Sequence, residues 1–284
     1  MNKKRRLRPP LIILAATLLL SVLIVPGLYS GLLTVRYEIE ADGIEAPVKI
    51  ALITDLHSCK YGERETELIN AVNAESPDIV VLVGDIFDDE LPDTNTEYFL
   101  RAISEKYDCY YVTGNHEYWS GAERFAEKMA IIDECGIRRL SGELVTVTAN
   151  GQNFNICGVD DPDAYMVTGG GNYVSFADQL SRVRELSDNG SYTVLLSHRP
   201  ESIGLYAHHG FDLVLSGHAH GGQWRIPFIL NGLWAPDQGL FPAYAGGRYE
   251  DGITTMIVSR GLARESTRVP RFYNRPELVV VTIK

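Results

Sequence analysis

Cysteine is scarce in this sequence, and its spacing excludes one common kind of metal site. The 284 residues include four cysteines, Cys59, Cys109, Cys135 and Cys157, and no two of them form a Cys-x-x-Cys pair. Structural zinc held by paired cysteines is therefore excluded. A domain of this length does not need disulfides to be stable, so we predict free thiols, with Cys109 and Cys157 buried in apolar strands.

Basic residues are also in the minority. The chain has 26 Lys and Arg against 37 Asp and Glu, a formal net charge of −11. The acidic excess is larger in the body of the chain, because five basic residues lie within the first eight positions: Lys3, Lys4, Arg5, Arg6 and Arg8. Such a composition excludes a general basic surface for nucleic acid. If the protein handles an anion, the positive charge must come from a local source.

Charged residues are missing altogether from Leu11 to Tyr29. At about 1.5 Å per residue this run would span roughly 28 Å as a helix, close to the thickness of a bilayer core. We predict a membrane anchor at residues 1–30, followed by one domain at 31–284. The basic cluster predicts a cytoplasmic amino terminus and an extracytoplasmic domain. A cleaved signal peptide remains an alternative. The pair Arg5-Arg6 is also compatible with a twin-arginine export signal.

The rest of the chain contains no internal repeat and alternates between strand and helix patterns. Apolar or alternating runs predict strands at 35–39, 48–54, 78–83, 109–113, 144–148, 154–158, 192–197, 213–215, 255–259 and 278–283. Helical spacing occurs between them at 64–73, 94–104, 121–135 and 176–186. This alternation predicts an α/β fold.

Polar residues of a restricted kind follow five of these strands: Asp55 and His57, Asp85, Asn115 and His116, His198, and His218 and His220. Ligands bind outside the carboxyl ends of strands in open α/β sheets, so these residues can form one site. In an extended chain, residues i and i+2 point the same way, so Asp55 with His57, and His218 with His220, can each be directed at one locus.

Imidazole, carboxylate and amide groups in this number predict a metal site. The candidate ligands are Asp55, His57, Asp85, Asn115, His198, His218 and His220. Seven ligands exceed what one ion needs, whereas two divalent ions sharing a carboxylate fit better. The mixed nitrogen and oxygen set suits manganese, zinc or iron. His208 and His209 follow no strand, and we predict that they lie on the surface.

The ordered motifs Asp55-x-His57, Gly84-Asp85, Gly114-Asn115-His116-Glu117, His198 and Gly217-His218-x-His220 resemble the calcineurin-like metallophosphoesterases. The resemblance runs from Val48 to the carboxyl terminus. Membrane-anchored or exported bacterial members look most similar, since His220-Gly221-Gly222-Gln223 and the segment 271–277 are like theirs. Ala263 departs from the pattern, because many relatives have glycine there.

The resemblance implies a fold, a ligand assignment and an acid. The implied fold is a four-layer sandwich of two mostly mixed sheets flanked by helices. One ion would be held by Asp55, His57 and His220, the other by Asn115, His198 and His218, and Asp85 would bridge them. His116 would not be a ligand but the acid that protonates the leaving oxygen, with Glu117 as the partner that orients it.

These features predict a two-metal phosphoric ester hydrolase, most simply a phosphodiesterase in which a metal-bridging hydroxide attacks phosphorus. A lipid-linked or cell-envelope substrate is one interpretation, because residues 223–249 are unusually apolar for a loop and contain Trp224, Phe228, Trp234 and Phe241. Ordinary packing under the sheet is the other. Residues 160–173, with Gly169-Gly170-Gly171, could also shape the pocket. A UDP-2,3-diacylglucosamine-type pyrophosphatase and a non-catalytic metal-binding scaffold stay open as alternatives.

Overall fold

Two six-stranded mixed sheets form the centre of the structure, which is a computed structural model that describes residues 9–168, 173–264 and 269–284. The predicted basic cluster from Lys3 to Arg8 and the glycines at 169–171 lie outside the described residues.

The strands follow one another along the chain as β1 (Leu33–Ile39), β2 (Val48–Ile53), β3 (Ile79–Val83), β4 (Asp108–Val112), β5 (Arg138–Arg139), β6 (Glu143–Ala149), β7 (Gln152–Gly158), β8 (Thr193–Leu196), β9 (Leu213–Ser216), β10 (Trp234–Ala235), β11 (Gly239–Leu240), β12 (Gly247–Asp251), β13 (Thr254–Val258) and β14 (Glu277–Ile283). The helices are α1 (Pro9–Gly27), α2 (Thr66–Glu75), α3 (Thr94–Ser104), α4 (Asn115–Trp119), α5 (Ala122–Glu134), α6 (Tyr165–Thr168), α7 (Phe176–Leu186) and α8 (Ile203–His209). All ten predicted strands and the four predicted helices are confirmed, with ends that differ by at most two residues.

The first sheet has the order β1-β14-β2-β3-β4-β5 and the second the order β12-β13-β9-β8-β7-β6. In the first sheet β2, β3, β4 and β5 are parallel, and β14 runs antiparallel to β2. In the second, β7, β8, β9 and β13 are parallel, while β6 and β12 are antiparallel edge strands. The short strands β10 and β11 pair only with each other.

The sheets pack face to face, and helices cover their outer faces. Ile50 and Leu52 of β2 are buried in the layer between the sheets, whereas Ala51 and Ile53 are buried on the opposite face. Because both faces of β2 are covered, its sequence is an almost continuous apolar run. Apolar residues of α2, α3 and α5 pack on the first sheet, and those of α7 and α8 pack on the second. The predicted α/β fold with two mixed sheets between helical layers is confirmed.

The amino-terminal helix α1 ends at Gly27, and five residues separate it from β1, which begins at Leu33. Among the described residues, no helix meets the length and hydropathy needed to cross a bilayer. The predicted transmembrane anchor therefore finds no support in the structure, and the division at residue 30 stays a prediction.

The cysteines and the two surface histidines agree with expectation. All four thiols are free, and Cys59, Cys109 and Cys157 are buried. His208 is exposed and His209 half-buried, both in the last turn of α8. The remaining five histidines lie elsewhere, at the ends of strands.

Candidate metal centre

The predicted metal ligands all follow strands that end at one edge of the two sheets. Asp55 and His57 follow β2, Asp85 follows β3, Asn115 follows β4, His198 follows β8, and His218 and His220 follow β9. The parallel strands β2, β3 and β4 carry their carboxyl ends to the same edge, as do β8 and β9. Residues separated by more than 160 positions are thereby brought together, as in the hydrogen bond from the His218 amide to Asp55 Oδ1 at 3.0 Å.

Six of the seven predicted ligands form two adjoining clusters. Asp55, His57, Asp85 and His220 offer atoms that all lie within 4.8 Å of one another, and Asp85, His198 and His218 do the same. Asn115 completes the seven, since it lines the same pocket as Asp85 and His218. The shared carboxylate of Asp85 is the arrangement that two neighbouring divalent ions require.

Five buried polar atoms in these clusters have no hydrogen-bond partner among the described residues: His57 Nε2, Asp85 Oδ2, Asn115 Oδ1, His198 Nε2 and His220 Nδ1. His198 Nε2 lies 3.1 Å from Asp85 Oδ2, but the two atoms do not make an aligned hydrogen bond. Each unmatched group would cost about 1–3 kcal/mol in a folded protein. Bound cations would remove that cost, so the donor set fits the metals that the motifs predict.

The second nitrogen of three imidazoles is held by a partner outside the clusters. His57 Nδ1 lies 3.2 Å from Asp88 Oδ2, and His218 Nε2 lies 2.9 Å from Asp237 Oδ2. His198 Nδ1 lies 2.9 Å from the carbonyl oxygen of Val83. When one nitrogen donates to an oxygen, the other carries the lone pair that a metal needs. These contacts therefore orient the rings of His57 and His198 for coordination. His218 Nε2 also lies 3.1 Å from Arg199 Nη1, so both Arg199 and Asp237 hold its ring.

The backbone at the paired motifs is not extended, which corrects the expected geometry. φ is +50° at both Asp55 and His57, +67° at His218 and +46° at His220. Left-handed conformations of this kind cost about 1–3 kcal/mol each for residues other than glycine, and they cluster at functional sites. Asp55 and His57 do meet in one cluster, but His218 and His220 belong to adjoining clusters. Tight turns after the strands, and not a period of two, direct these side chains.

Two glycines make room for the carboxylates. A Cβ atom on Gly217 would lie 1.9 Å from Thr54 Oγ1 and 2.5 Å from Asp55 Oδ2. A Cβ atom on Gly114 would lie 2.2 Å from Asp85 Oδ1. The motif glycines are thus required because backbone and carboxylate approach each other closely.

A pocket of about 580 Å³ opens beside the clusters. The three tryptophans of the chain, Trp119, Trp224 and Trp234, all line it, together with Leu233, Pro236 and His116. Of the two segments expected to shape the pocket, 223–249 contributes lining residues, whereas no described residue of 160–173 lines it. Asp163 Oδ2 accepts a 2.8 Å hydrogen bond from Nε1 of the lining residue Trp119. Phe228 and Phe241 are exposed and do not line this pocket.

Comparison with known proteins agrees with the geometry. The sequence profile of the calcineurin-like phosphoesterases matches residues 48–222, more than half of the chain. The chain belongs to the calcineurin-like phosphoesterase family.

Relatives within this family are similar over most of the chain. An uncharacterised metallophosphoesterase of Aquifex aeolicus is 32% identical over 273 residues, covering 91% of this chain and 96% of that protein. One from Campylobacter jejuni is 29% identical over 256 residues, covering 87% of this chain and 62% of the relative. The chain thus spans less than two thirds of the Campylobacter protein. Among solved structures, the NAD nucleotidase of Haemophilus influenzae shares the fold, with a TM-score of 0.51 at 16% identity over 77% of this chain and 46% of the nucleotidase.

Within this calcineurin-like phosphoesterase, Glu117 joins two loops that carry candidate metal ligands and does not orient His116 as predicted. Its buried carboxylate accepts hydrogen bonds from the amides of Asp85 (3.0 Å), Ile86 (2.8 Å), Phe87 (3.0 Å) and Gly114 (2.8 Å). The bonds form because α4 begins at Asn115, which places Glu117 in its first turn. The loops after β3 and β4 are therefore fixed to each other by one side chain.

His116 has a different partner, Asp89, whose Oδ1 lies 2.6 Å from His116 Nδ1. Its ring packs edge-on to that of His57, with centroids 4.4 Å apart. Asn115 and His116 are consecutive residues of a helix rather than of an extended chain, and about 100° of rotation separates their side chains. Helix geometry therefore turns these two side chains in different directions.

The local charges suit both coordination and proton transfer. Burial opposes ionisation of Asp85, but the imidazoles of His198 and His116 hold the pKa of this carboxyl well below its usual range. Burial and the neighbouring His57 keep the pKa of His220 well below its usual range, so its imidazole is neutral. Burial would lower the pKa of His116, yet Asp85 and Asp89 raise it to about 9.

Four polar residues of the site were not predicted: Asp88, Asp89, Arg199 and Asp237. Arg199 is buried and pairs with Asp161, through Nη2 to Oδ1 at 2.8 Å, and with Asp237. Asp88 and Asp89 lie three and four residues after Asp85, and Arg199 directly follows His198, so proximity to a motif was the available signal. No local pattern marks Asp237, which reaches His218 from a distant loop.

Proposed function

We propose that this calcineurin-like phosphoesterase hydrolyses phosphodiesters that carry one large apolar substituent. The observation that carries the proposal is the apolar pocket, which is lined by the three tryptophans together with His116 and residues of both ligand clusters. The clusters would hold the phosphoryl group, and the pocket would hold an ester substituent.

Asp55, His57 and His220 would hold one divalent ion, and Asn115, His198 and His218 the other, with Asp85 between them. The nitrogen and oxygen donors suit manganese, zinc or iron. When bound, such ions supply positive charge to the phosphoryl oxygens and lower the pKa of coordinated water. The acidic chain therefore needs no basic surface to attract a phosphate.

His116 would donate the proton that the leaving oxygen needs. Asp89 holds Nδ1 of this ring, which leaves Nε2 as the nitrogen able to donate into the pocket. Its protonated form is favoured by the nearby carboxylates, and a positioned acid of this kind contributes about 10²–10⁴ in rate.

A diester fits this pocket better than a monoester. Among the described residues that line it, none is Lys or Arg. A monoester carries a second negative charge that enzymes commonly match with additional cationic side chains, whereas a diester carries one. The pocket volume of about 580 Å³ also leaves space for the second substituent of a diester.

The apolar lining suits a lipid-linked or cell-envelope substrate, and it equally suits the acyl chains of a UDP-2,3-diacylglucosamine-type pyrophosphate. We also propose an anchored, extracytoplasmic location with a cytoplasmic amino terminus, on the sequence of residues 1–30 alone.

The test is turnover with added Mn²⁺ on bis(p-nitrophenyl) phosphate and on p-nitrophenyl phosphodiesters with alkyl groups of increasing length, in detergent. Burial of each methylene contributes about 0.8 kcal/mol, so kcat/KM should rise about fourfold per methylene until the pocket is filled. p-Nitrophenyl phosphate is the monoester control and should be the poorer substrate. Equal turnover of short and long diesters would refute the apolar specificity. Metal binding without turnover of any ester would support the non-catalytic scaffold instead.

A further inference from the structure

The loop that lines the pocket also carries large apolar side chains that point away from it. In residues 224–241, here called the rim loop, Phe228 is 107% exposed, Ile229 82%, Leu240 67% and Phe241 66%. Phe228 and Ile229 lie in a turn closed by hydrogen bonds between Ile226 and Leu230. Leu240 and Phe241 lie at the open end of the β10-β11 pair, away from its connecting turn, and these two places are here called the two tips. Burying a Phe, Leu or Ile side chain stabilises a protein by about 1.5–3 kcal/mol relative to leaving it in water. Four such exposed side chains in one loop therefore indicate that a partner covers this surface.

The first tip lies next to the end of helix α1. The amide of Tyr273 donates to the carbonyl oxygen of Gly27 at 2.6 Å, and the amide of Arg225 donates to the carbonyl oxygen of Phe272 at 2.9 Å. Tyr273 and the turn from Ile226 to Leu230 line a common cleft. Described apolar side chains of α1 are exposed as well: Leu14, Leu18, Leu20, Val22 and Val25. Two apolar surfaces from distant parts of the chain thus adjoin at one edge of the molecule.

The rim loop differs in charge from the rest of the protein. Acidic residues exceed basic ones by 37 to 26 in the whole chain, yet Asp237 is the sole acidic residue between Trp224 and Tyr249. Its carboxylate is directed inward, to Arg199 and to His218 Nε2 at 2.9 Å. The outer face of the loop therefore carries no unpaired acid from this segment, and an anionic lipid surface would not repel it.

We propose that the two tips of the rim loop insert into the interfacial region of a lipid bilayer. Single aromatic and aliphatic side chains on separate turns can each enter the boundary of head groups and acyl chains, whereas a protein partner would favour one continuous face. Trp224 and Trp234, which belong to the same loop, line the pocket and so place its mouth at the membrane surface. This contact does not depend on the reaction proposed above.

The experiment uses the full chain and vesicles of phosphatidylcholine and phosphatidylglycerol. With Cys135→Ser to remove the accessible thiol, an environment-sensitive fluorophore is attached at Phe228→Cys or at Leu240→Cys. Ile253→Cys is the matched control: Ile253 is 74% exposed, but it precedes β13 and so lies at the end of the sheet opposite the metal clusters.

In vesicle-bound protein, labels at 228 and 240 should shift to shorter emission wavelengths and be quenched several-fold by lipids brominated on the acyl chain, while the label at 253 should not change. Labels at 228 and 240 that remain as exposed as the one at 253 would overturn the proposal, and so would protein that fails to bind the vesicles or equal quenching at all three positions. Because the readout is fluorescence, loss of phosphodiesterase activity would leave the result intact.

Discussion

Replacing Glu117 by glutamine should uncouple the two loops that carry Asp85 and Asn115. Each carboxylate oxygen of Glu117 accepts two amide hydrogen bonds: Oε1 from Ile86 and Phe87, Oε2 from Asp85 and Gly114. Glutamine retains one acceptor oxygen and presents an NH₂ group to the other pair of amides. Two buried N–H groups then lose their acceptor, at about 1–3 kcal/mol each, so we expect a loss of about 4 kcal/mol in the free energy of unfolding.

The assay is urea unfolding of the metal-free protein at mildly alkaline pH. Burial and the charge of Asp85 raise the pKa of Glu117, so an alkaline pH is needed to compare the glutamine variant with the ionised form of Glu117. Glu105→Gln is the control, because Glu105 is exposed. Affinity for Mn²⁺ should fall with stability, since Asp85 and Asn115 stand on the loops that move. If the free energy of unfolding of Glu117→Gln lies within about 0.5 kcal/mol of that of the control variant, Glu117 does not hold the loops together.

Three further substitutions probe separate parts of the site. His116→Ala should retain metal and lose about 10²–10⁴ in kcat on alkyl esters, with a much smaller loss on p-nitrophenyl esters, which need no acid; equal losses on both would contradict the acid assignment. Gly217→Ala should abolish metal binding, because its Cβ atom would lie 1.9 Å from Thr54 Oγ1. Gly204→Ala is the control and should bind metal normally, because open space surrounds Gly204. Metal binding by the Gly217→Ala variant at wild-type affinity would show that the loop can shift to accommodate the Cβ atom. Trp234→Ala should flatten the dependence of kcat/KM on alkyl chain length, and an unchanged slope would place the substituent elsewhere.

Most of the fold was accessible from the sequence because buried strands and amphipathic helices leave strong local patterns. The apolar run of β3 indicates a strand buried on both faces, and the spacing of Phe99, Leu100 and Ile103 indicates a helix, α3, with one buried face. Polar residues directly after such runs marked the edge where the site forms, so all seven candidate ligands could be named. The strand-helix alternation already implied the parallel order of β2, β3 and β4, which brings Asp55, Asp85 and Asn115 together. His198, His218 and His220 join them from the second sheet, where they follow the parallel strands β8 and β9.

The interactions that hold the site were less accessible, because they depend on backbone turns and long-range contacts. Left-handed φ values at Asp55 and His218 have no signature in residue type, since both positions were expected to be extended. Asp237 reaches His218 across a loop with no periodic pattern. Glu117 was identified as important but given the wrong partner, because the helix that begins at Asn115 is only five residues long and too short to predict.

The most direct measurement of the central claim is the number of metal ions bound per chain. After saturation with Mn²⁺ and removal of the excess, elemental analysis should find two ions per wild-type chain. Asp85 belongs to both ligand clusters, so Asp85→Asn should lose both ions and phosphodiesterase activity together. A wild-type protein that binds no divalent ion, or an Asp85→Asn variant that keeps two, would contradict a two-metal centre built around this carboxylate.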